Sequence, residues 1–351
     1  MRSNLKTQLQ ATVEAALSQS QVPGAAIAIW LDGQSCLEAG IGYGDKRQQV
    51  PLPVDASFYI YSITKVLIAT ASLYLADQKR LELDASVQSY LANFSLDRTI
   101  TLRHLLSHTS GLPDYGGTAA YKEAVKANPR RPWSLSTFFE LAQAQGLQFA
   151  PGTDWAYSNI GYLLLKQVLE QVTDLTLGQL LDQVIFRPLS LAKTFVPETL
   201  EQVGELTPGY TDCWSQDELQ NMTQVYHPSW VAHSVAISTA PELAKIIDAL
   251  LSGQIISPSL VEQMSQPVHT LGKYPLFTSL GYGLGLFIDD ASPYGIVRGH
   301  TGEGPGYSVA AFHLQKLANV RATLVVLANR DKPDFGLSLI YRIAQTIAAN
   351  S

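Results

Sequence analysis

Long apolar runs, cysteines and a surplus of positive charge are what this 351-residue chain lacks, and each absence removes a class of protein. No stretch of about 20 apolar residues occurs, so no transmembrane segment is expected. The two cysteines, Cys36 and Cys213, stand far apart in a predicted strand and a loop, and nothing requires a disulfide. With 24 Lys and Arg against 30 Asp and Glu, the net charge is -6 and no basic stripe suits a nucleic acid. The glycines at 302, 304 and 306, like those at 281, 283 and 285, lack the spacing and following helix of a phosphate-binding loop, so no nucleotide cofactor is implied. His104 and His108 are four apart on a predicted helix, but position 105 is Leu and the glutamate of a His-Glu-x-x-His site is missing. Packing and capping are expected there, with no metal. Met1-Arg2-Ser3-Asn4 leads into a polar helix and not a signal sequence, so the chain as given is expected to be soluble and unexported.

What is present is enough apolar material, 46% of residues, for a large core in one compact domain or two subdomains. An amphipathic helix is predicted over 4–20, then strands over Ala25–Trp30 and Ser35–Gly44 joined through Asp32-Gly33, a strong hairpin signal. Helices separated by Pro and Gly loops fill roughly 71–234. Thr239-Ala240-Pro241-Glu242 reads as a capping box opening a helix to about Leu251. Strands return at Gly283–Ile288, Gly295–Gly299, Val309–Leu314 and Arg321–Ala328, before a last helix over 334–349. The expected architecture is α/β in the α+β sense, an antiparallel sheet flanked by helices. Residues 1–70 and 235–351 form the sheet part, and 71–234 a mainly helical insertion.

The chemistry centres on Tyr61-Ser62-Ile63-Thr64-Lys65. From Ser62 to about Lys79 the chain is rich in Ala, Leu and Ile without Gly or Pro, so Ser62 is placed in the first turn of a buried helix. Residues three apart share a helix face, which brings the Lys65 amine back to the Ser62 hydroxyl. A serine is a poor nucleophile until a base removes its proton, and a lysine serves only if its pKa is depressed. Ser-x-x-Lys alone is weak, for Ser3–Lys6 and Ser190–Lys193 repeat it without a buried helix behind them. Tyr157-Ser158-Asn159 and His300-Thr301-Gly302 occur once each, in that order downstream. A lysine flanked by Val66, Leu67 and Ile68 is also hard to explain as a surface charge. Gly306-Tyr307-Ser308-Val309-Ala310 is a near miss for a nucleophile elbow, because a strand and not a helix follows it.

With these motifs, the chain resembles the penicillin-recognising serine hydrolases: serine β-lactamases, D-alanyl-D-alanine carboxypeptidases, D-aminopeptidases and β-lactamase-like esterases. The likeness spans nearly the whole chain and includes Leu102 to Leu112, Pro151-Gly152 and Gly281 to Leu286. It is closest to the carboxypeptidase branch, through Tyr-Ser-Asn and His-Thr-Gly. The resemblance implies a β-lactamase/transpeptidase-like fold, Ser62 as nucleophile, Lys65 as its partner and Tyr157 as shared general base and acid. It also implies Asn159 holding the substrate amide or the Lys65 side chain, His300, Thr301 and Gly302 as substrate-binding groups, an oxyanion held by the backbone N–H groups of Ser62 and Glu303, and β-lactams as covalent ligands beside a small-molecule or peptide substrate. Trp230 resembles an active-site wall aromatic, although a core tryptophan is the equal alternative. Relatives that cut peptidoglycan act outside the cytoplasm, which leaves the compartment unassigned.

Two departures bear on substrate. Glu303 follows His-Thr-Gly where carboxypeptidases of this branch tend to have a small hydroxyl residue. Phe287 stands where the closest-looking peptidases have an arginine suited to a carboxylate. An anion at Glu303 should repel a free C-terminus, so esters or amides of amine-bearing residues are expected to turn over better. A cationic His300, with Arg298 two residues earlier on the same strand face, is the counter-expectation. His227, His233, His269 and His313 have no clustered partner and read as structural. The leading expectation is a serine hydrolase working through a Ser62 acyl-enzyme. The rivals are acyl transfer to an amine and a penicillin-binding sensor or scaffold that is acylated without turnover.

Overall fold

A computed structural model describes residues 2–212, 219–274 and 277–350. Among them a nine-stranded sheet forms from β1 (Gly24–Leu31), β2 (Gln34–Asp45), β3 (Val50–Pro51), β4 (His269–Tyr274), β5 (Phe277–Tyr282), β6 (Phe287–Asp289), β7 (Val297–Gly304), β8 (Tyr307–Leu317) and β9 (Val320–Ala328). Their order across the sheet is β3-β2-β1-β9-β8-β7-β6-β5-β4, and every adjacent pair is antiparallel. The first and last strands in sequence therefore do not lie at the two edges; β1 pairs with β9 in the middle, Ala25 opposite Ala328 through Leu31 opposite Ala322.

Strand alternation sends successive side chains to opposite faces, and in β1 both faces are covered. Ala25, Ile27 and Ile29 meet helices α1 (Arg2–Ser20) and α7 (Phe335–Ala348), where Leu9, Val13, Ile340 and Ile343 complete the layer. Ala26 and Ala28 face the other way, toward α2 (Thr64–Asp77) and α6 (Ala240–Leu251). On that side the chain adds α3 (Leu102–Leu106), α4 (Ala119–Ala127) and α5 (Asn159–Thr173), so the mainly helical stretch lies on one face of the sheet.

Several expectations shift. Gly283–Leu286 is a turn between β5 and β6 and not a strand, because Gly285 takes φ +83° and a Cβ there would meet the Ala69 Cβ at 2.5 Å. The turn thereby packs on α2. Thr239 does cap α6 through Glu242 N, but the Glu242 carboxylate accepts instead from the backbone of Ala192 and Lys193 and from the Thr194 hydroxyl, leaving half a capping box. The helix expected to carry His104 and His108 ends at Leu106, and His108 takes φ +59°. Cys213 lies outside the described residues, and Cys36 stands half-buried on β2.

Candidate active site

The nucleophile candidate sits one step earlier than its helical pattern predicts. Tyr61–Ile63 form a single 3-10 turn, and α2 begins at Thr64. Ser62 thus lies in the tight turn ahead of the helix. Tyr61 is held at φ +42°, an uncommon conformation for a bulky residue, by burial against Tyr59, Tyr226 and Tyr307 and by its hydroxyl donating to Pro305 O at 2.6 Å. The three-residue spacing survives the tighter winding, because i and i+3 still share a face.

Lys65 is fully buried, and its Nζ lies 3.1 Å from Ser62 Oγ, 2.7 Å from Asn159 Oδ1 and 2.7 Å from His233 Nε2. Burial lowers its pKa to about 7, against the opposing pull of Asp114. Asp114 acts at one remove, accepting from Asn159 N and Nδ2 and so turning the amide oxygen of Asn159 toward the lysine. Ser158 caps α5 through Gly161 N and donates to Pro113 O. This sets Tyr157 and Asn159 on either side of the cap. The Tyr157 ring stacks on His108 at 4.3 Å and lies 4.8 Å from Lys65 Nζ. Burial pushes the Tyr157 phenol well up, and its hydrogen bond to Ser62 pulls back only in part. His108 accepts from Ser158 N at Nδ1 and is kept neutral by burial, with Lys65 and His300 adding to the effect.

On the opposite wall, β6 pairs with β7 only over Val297–Gly299, which leaves the His300–Gly304 stretch uncovered on the side of the serine turn. A Cβ at Gly302 would stand 2.3 Å from Ile60 O and 3.1 Å from Ser62 N, and one at Gly304 would strike the Tyr61 ring at 2.4 Å. Glycine is required there for the strand to approach the turn. His300 is buried, with its Nδ1 on Thr301 O and Nε2 3.1 Å from the Tyr282 hydroxyl. A carbonyl can only accept, so Nδ1 carries the proton and Tyr282 donates to Nε2. Burial, helped by Lys65, lowers the His300 pKa to about 3, so desolvation works against the cationic His300 expected as an alternative. Arg298 reaches Ser265 Oγ and Gln315 Oε1, away from Ser62.

The side chains of three other expected site residues are engaged elsewhere. Trp230 is 1% exposed, bonds Pro129 O and packs on Tyr121 and Trp133, so it backs the cavity wall and does not face it. Phe287 packs on His300 at 4.7 Å and on Tyr282 at 5.0 Å, a filler behind the histidine. Glu303 borders the cavity, but its carboxylate accepts from Asp334 N at the start of α7, and burial raises its pKa. Thr301 is half-buried beside it.

The cavity holds about 570 Å³ next to Ser62, walled by Tyr61, Tyr115, Tyr121 and Tyr226, with Lys122 and Glu303 also in its lining. A larger hollow of about 720 Å³ lies between α1 and β2, around Glu14, Tyr43 and Arg330, and no nucleophile-base pair is seen there among the described residues.

A β-lactamase family profile matches residues 9–348. The chain belongs to the β-lactamase family. Among its relatives, penicillin-binding protein 4* of Bacillus subtilis (strain 168) is 26% identical over 349 residues, 95% of this chain and 73% of that protein. A D-stereospecific amidohydrolase from Streptomyces sp. superposes with a TM-score of 0.83 at 26% identity, covering 99% of each chain. The D-amino acid amidase of Ochrobactrum anthropi SV3, solved with L-phenylalanine amide, gives 0.85 at 22% identity, covering 99% of each, and shares the fold. The β-lactamase-family member described here is thus a β-lactamase-fold hydrolase related to penicillin-binding proteins, with the α/β architecture expected of it.

Sequence reasoning missed His233 and Asp114. His233 lies 168 positions from Lys65, in Ala232-His233-Ser234-Val235, and had no visible partner. The available signal was a lone ring in the mostly apolar stretch Val231 to Ala236, read beside a buried lysine that needs acceptors.

Proposed function

We propose that this protein is a serine hydrolase that acylates at Ser62 and releases the acyl group to water, acting on small amides or esters with an apolar or aromatic group. The observation that carries the reading is the buried Lys65 amine 3.1 Å from Ser62 Oγ, with a pKa near 7, at the mouth of an aromatic cavity. In the first step Ser62 Oγ bonds the substrate carbonyl carbon while its proton passes to neutral Lys65 Nζ. The N–H groups of Ser62 and Glu303 receive the oxyanion. Collapse breaks the bond to the leaving amine or alcohol, which takes a proton from the Tyr157 hydroxyl. The Tyr157 phenolate then regains a proton from the Lys65 ammonium, which returns both groups to their starting state. The raised pKa of Tyr157 suits it to donate and not to act as a free phenolate base. Water then attacks the ester carbonyl by the same route and frees Ser62.

The amidohydrolase relative favours an amide of a D-amino acid, and Glu303 in the wall favours an amine-bearing substrate over a free carboxylate. The relationship to a penicillin-binding protein favours a second reading, a β-lactam-labelled sensor that does not turn over. One experiment separates them. The protein and Ser62→Ala are mixed with p-nitrophenyl butyrate and, separately, with benzylpenicillin, while p-nitrophenol release and intact mass are followed. A burst and a transient adduct in the wild type alone support the hydrolase; a stoichiometric, lasting adduct without turnover supports the sensor. No adduct and equal rates in the two proteins would end both.

A further inference from the structure

His233 has no place in the chemistry just described, yet it touches its base. The ring is fully buried, and Ser234 beside it takes φ +74°, a strained turn that aims the imidazole inward. Nε2 stands 2.7 Å from Lys65 Nζ, as close as Asn159 Oδ1 on the other side. Nδ1 has no hydrogen-bond partner among the described residues. With the proton on Nδ1, Nε2 is left an acceptor.

A neutral lysine amine has two N–H bonds and one lone pair. Only the lone pair can take the Ser62 proton, and an amine free to rotate would present it to serine a fraction of the time. We infer that His233 is a positioning residue for the serine chemistry proposed above: its Nε2 and Asn159 Oδ1 accept the two N–H bonds of neutral Lys65 and leave the lone pair of Nζ facing the Ser62 hydroxyl. This deepens that reading and rests on it.

The surroundings fit this assignment from every side. The Tyr157 and Tyr162 rings close over Nζ at 4.8 and 5.5 Å and offer no competing acceptor oxygen at hydrogen-bonding distance. Asp114, the carboxylate that acts on Lys65, is engaged by Asn159. His233 itself is held neutral by burial first, with Lys65 and Lys166 adding to the effect, so it does not compete for the proton that Lys65 takes. His300 is likewise neutral, and its Nε2 is occupied by Tyr282. With the opposite tautomer, an Nε2–H would bind the lysine lone pair and leave Ser62 facing an N–H bond, an arrangement that cannot accept a proton.

The test is single-turnover acylation by p-nitrophenyl butyrate from pH 5 to 10 for wild type, His233→Ala, His233→Gln and Ser62→Ala, with melting temperature recorded for each. Glutamine places an acceptor oxygen near the position of Nε2 and can stand in for it. The alkaline plateau, where Lys65 is neutral, should fall about tenfold to a hundredfold in His233→Ala with KM little changed, the scale expected for a misdirected reacting group. His233→Gln should recover to within about threefold. A wild-type plateau in a folded His233→Ala, or a glutamine variant as slow as the alanine one at equal melting temperature, would overturn the role. If Ser62→Ala reacts like the wild type, the serine reading falls instead. Nitrogen-15 NMR of the ring decides the tautomer whatever the activity: an unprotonated Nε2 is expected, and a proton on Nε2 would overturn the inference.

Discussion

The two faces of the sheet bury side chains equally well and of opposite kinds. Behind it, α1 and α7 cover Ile27, Ile29, Leu324 and Val326 with Leu9, Val13, Ile340 and Ile343, an apolar layer. In front, the core that includes α2, α5 and α6 also encloses Lys65, His108, His233 and His300, each 0 or 1% exposed. Removing such groups from water costs free energy unless they are neutral or paired. The front layer meets that cost with depressed lysine and histidine pKa values and with hydrogen bonds to Asn159, Ser158 and Tyr282. The comparison assigns stability to one face and chemistry to the other.

The sharpest way to break it is Lys65→Met, which keeps the length of the side chain and discards the amine. Acylation should fall by about a thousandfold or more, the scale of losing a positioned base together with its hydrogen bonds. Stability should move the other way. Lys65 has a folded pKa near 7 against an ordinary value of 10.5, so between those values the unfolded chain binds more protons and wild-type stability rises with pH. Below about pH 7 the buried ammonium is charged and its cost is greatest. Lys65→Met should therefore gain most over wild type at pH 6, on the order of 1 kcal/mol or more after the unpaired Asn159 and His233 are counted, and the gain should shrink toward pH 10. Melting curves at the two pH values check the sign; a gain that grew with pH would mean that Lys65 is not desolvated.

Leu324→Ala attacks the rear face. The side chain is fully buried on β9, and its loss should cost about 2–5 kcal/mol by transfer and cavity formation. Activity per folded molecule should stay within about twofold, because Leu324 packs in the rear layer and not in the cluster around the Ser62 turn. Denaturant titration beside active-site titration would read both numbers, and a large fall in turnover with intact folding would erase the division between the faces.

How much of this was legible in the chain follows the same division. The rear elements announced themselves locally, the first helix by its alternation of polar and apolar positions over 4–20 and Ala25–Trp30 by its apolar run ahead of the Asp32-Gly33 turn. Ser62, Lys65, Tyr157, Asn159 and His300 were marked by order and motif, and the fold brings all five together. What escaped depended on contacts that have no local signature. The tight turn that holds Ser62 is imposed by Tyr61 packing, the bend at Gly285 by its approach to Ala69, and His233 acquires a partner only when the segment after Trp230 folds back over α2. Trp230 and Phe287 were placed at the cavity by analogy and lie one layer behind it.

The smallest expected effect lies where the two layers meet. Glu303 reaches across the end of β7 from the cavity wall to the first turn of α7, a helix of the rear layer, where an anion is favourable and Asp334 N donates to it. Burial and the neighbouring Asp334 and Asp331 raise its pKa, while that hydrogen bond works against them. Glu303→Gln keeps an acceptor for Asp334 N and removes the charge, so stability should change little. If the carboxylate repels anionic substrates across the cavity, kcat/KM for a carboxylate-bearing ester should rise about twofold to fivefold in the variant, the range of a partly screened charge. The value for a D-amino acid amide with a free amine should fall by a similar factor, and a neutral ester should be unaffected. Equal changes for all three would assign Glu303 to holding α7 in place, and the rear layer would then extend to the edge of the cavity.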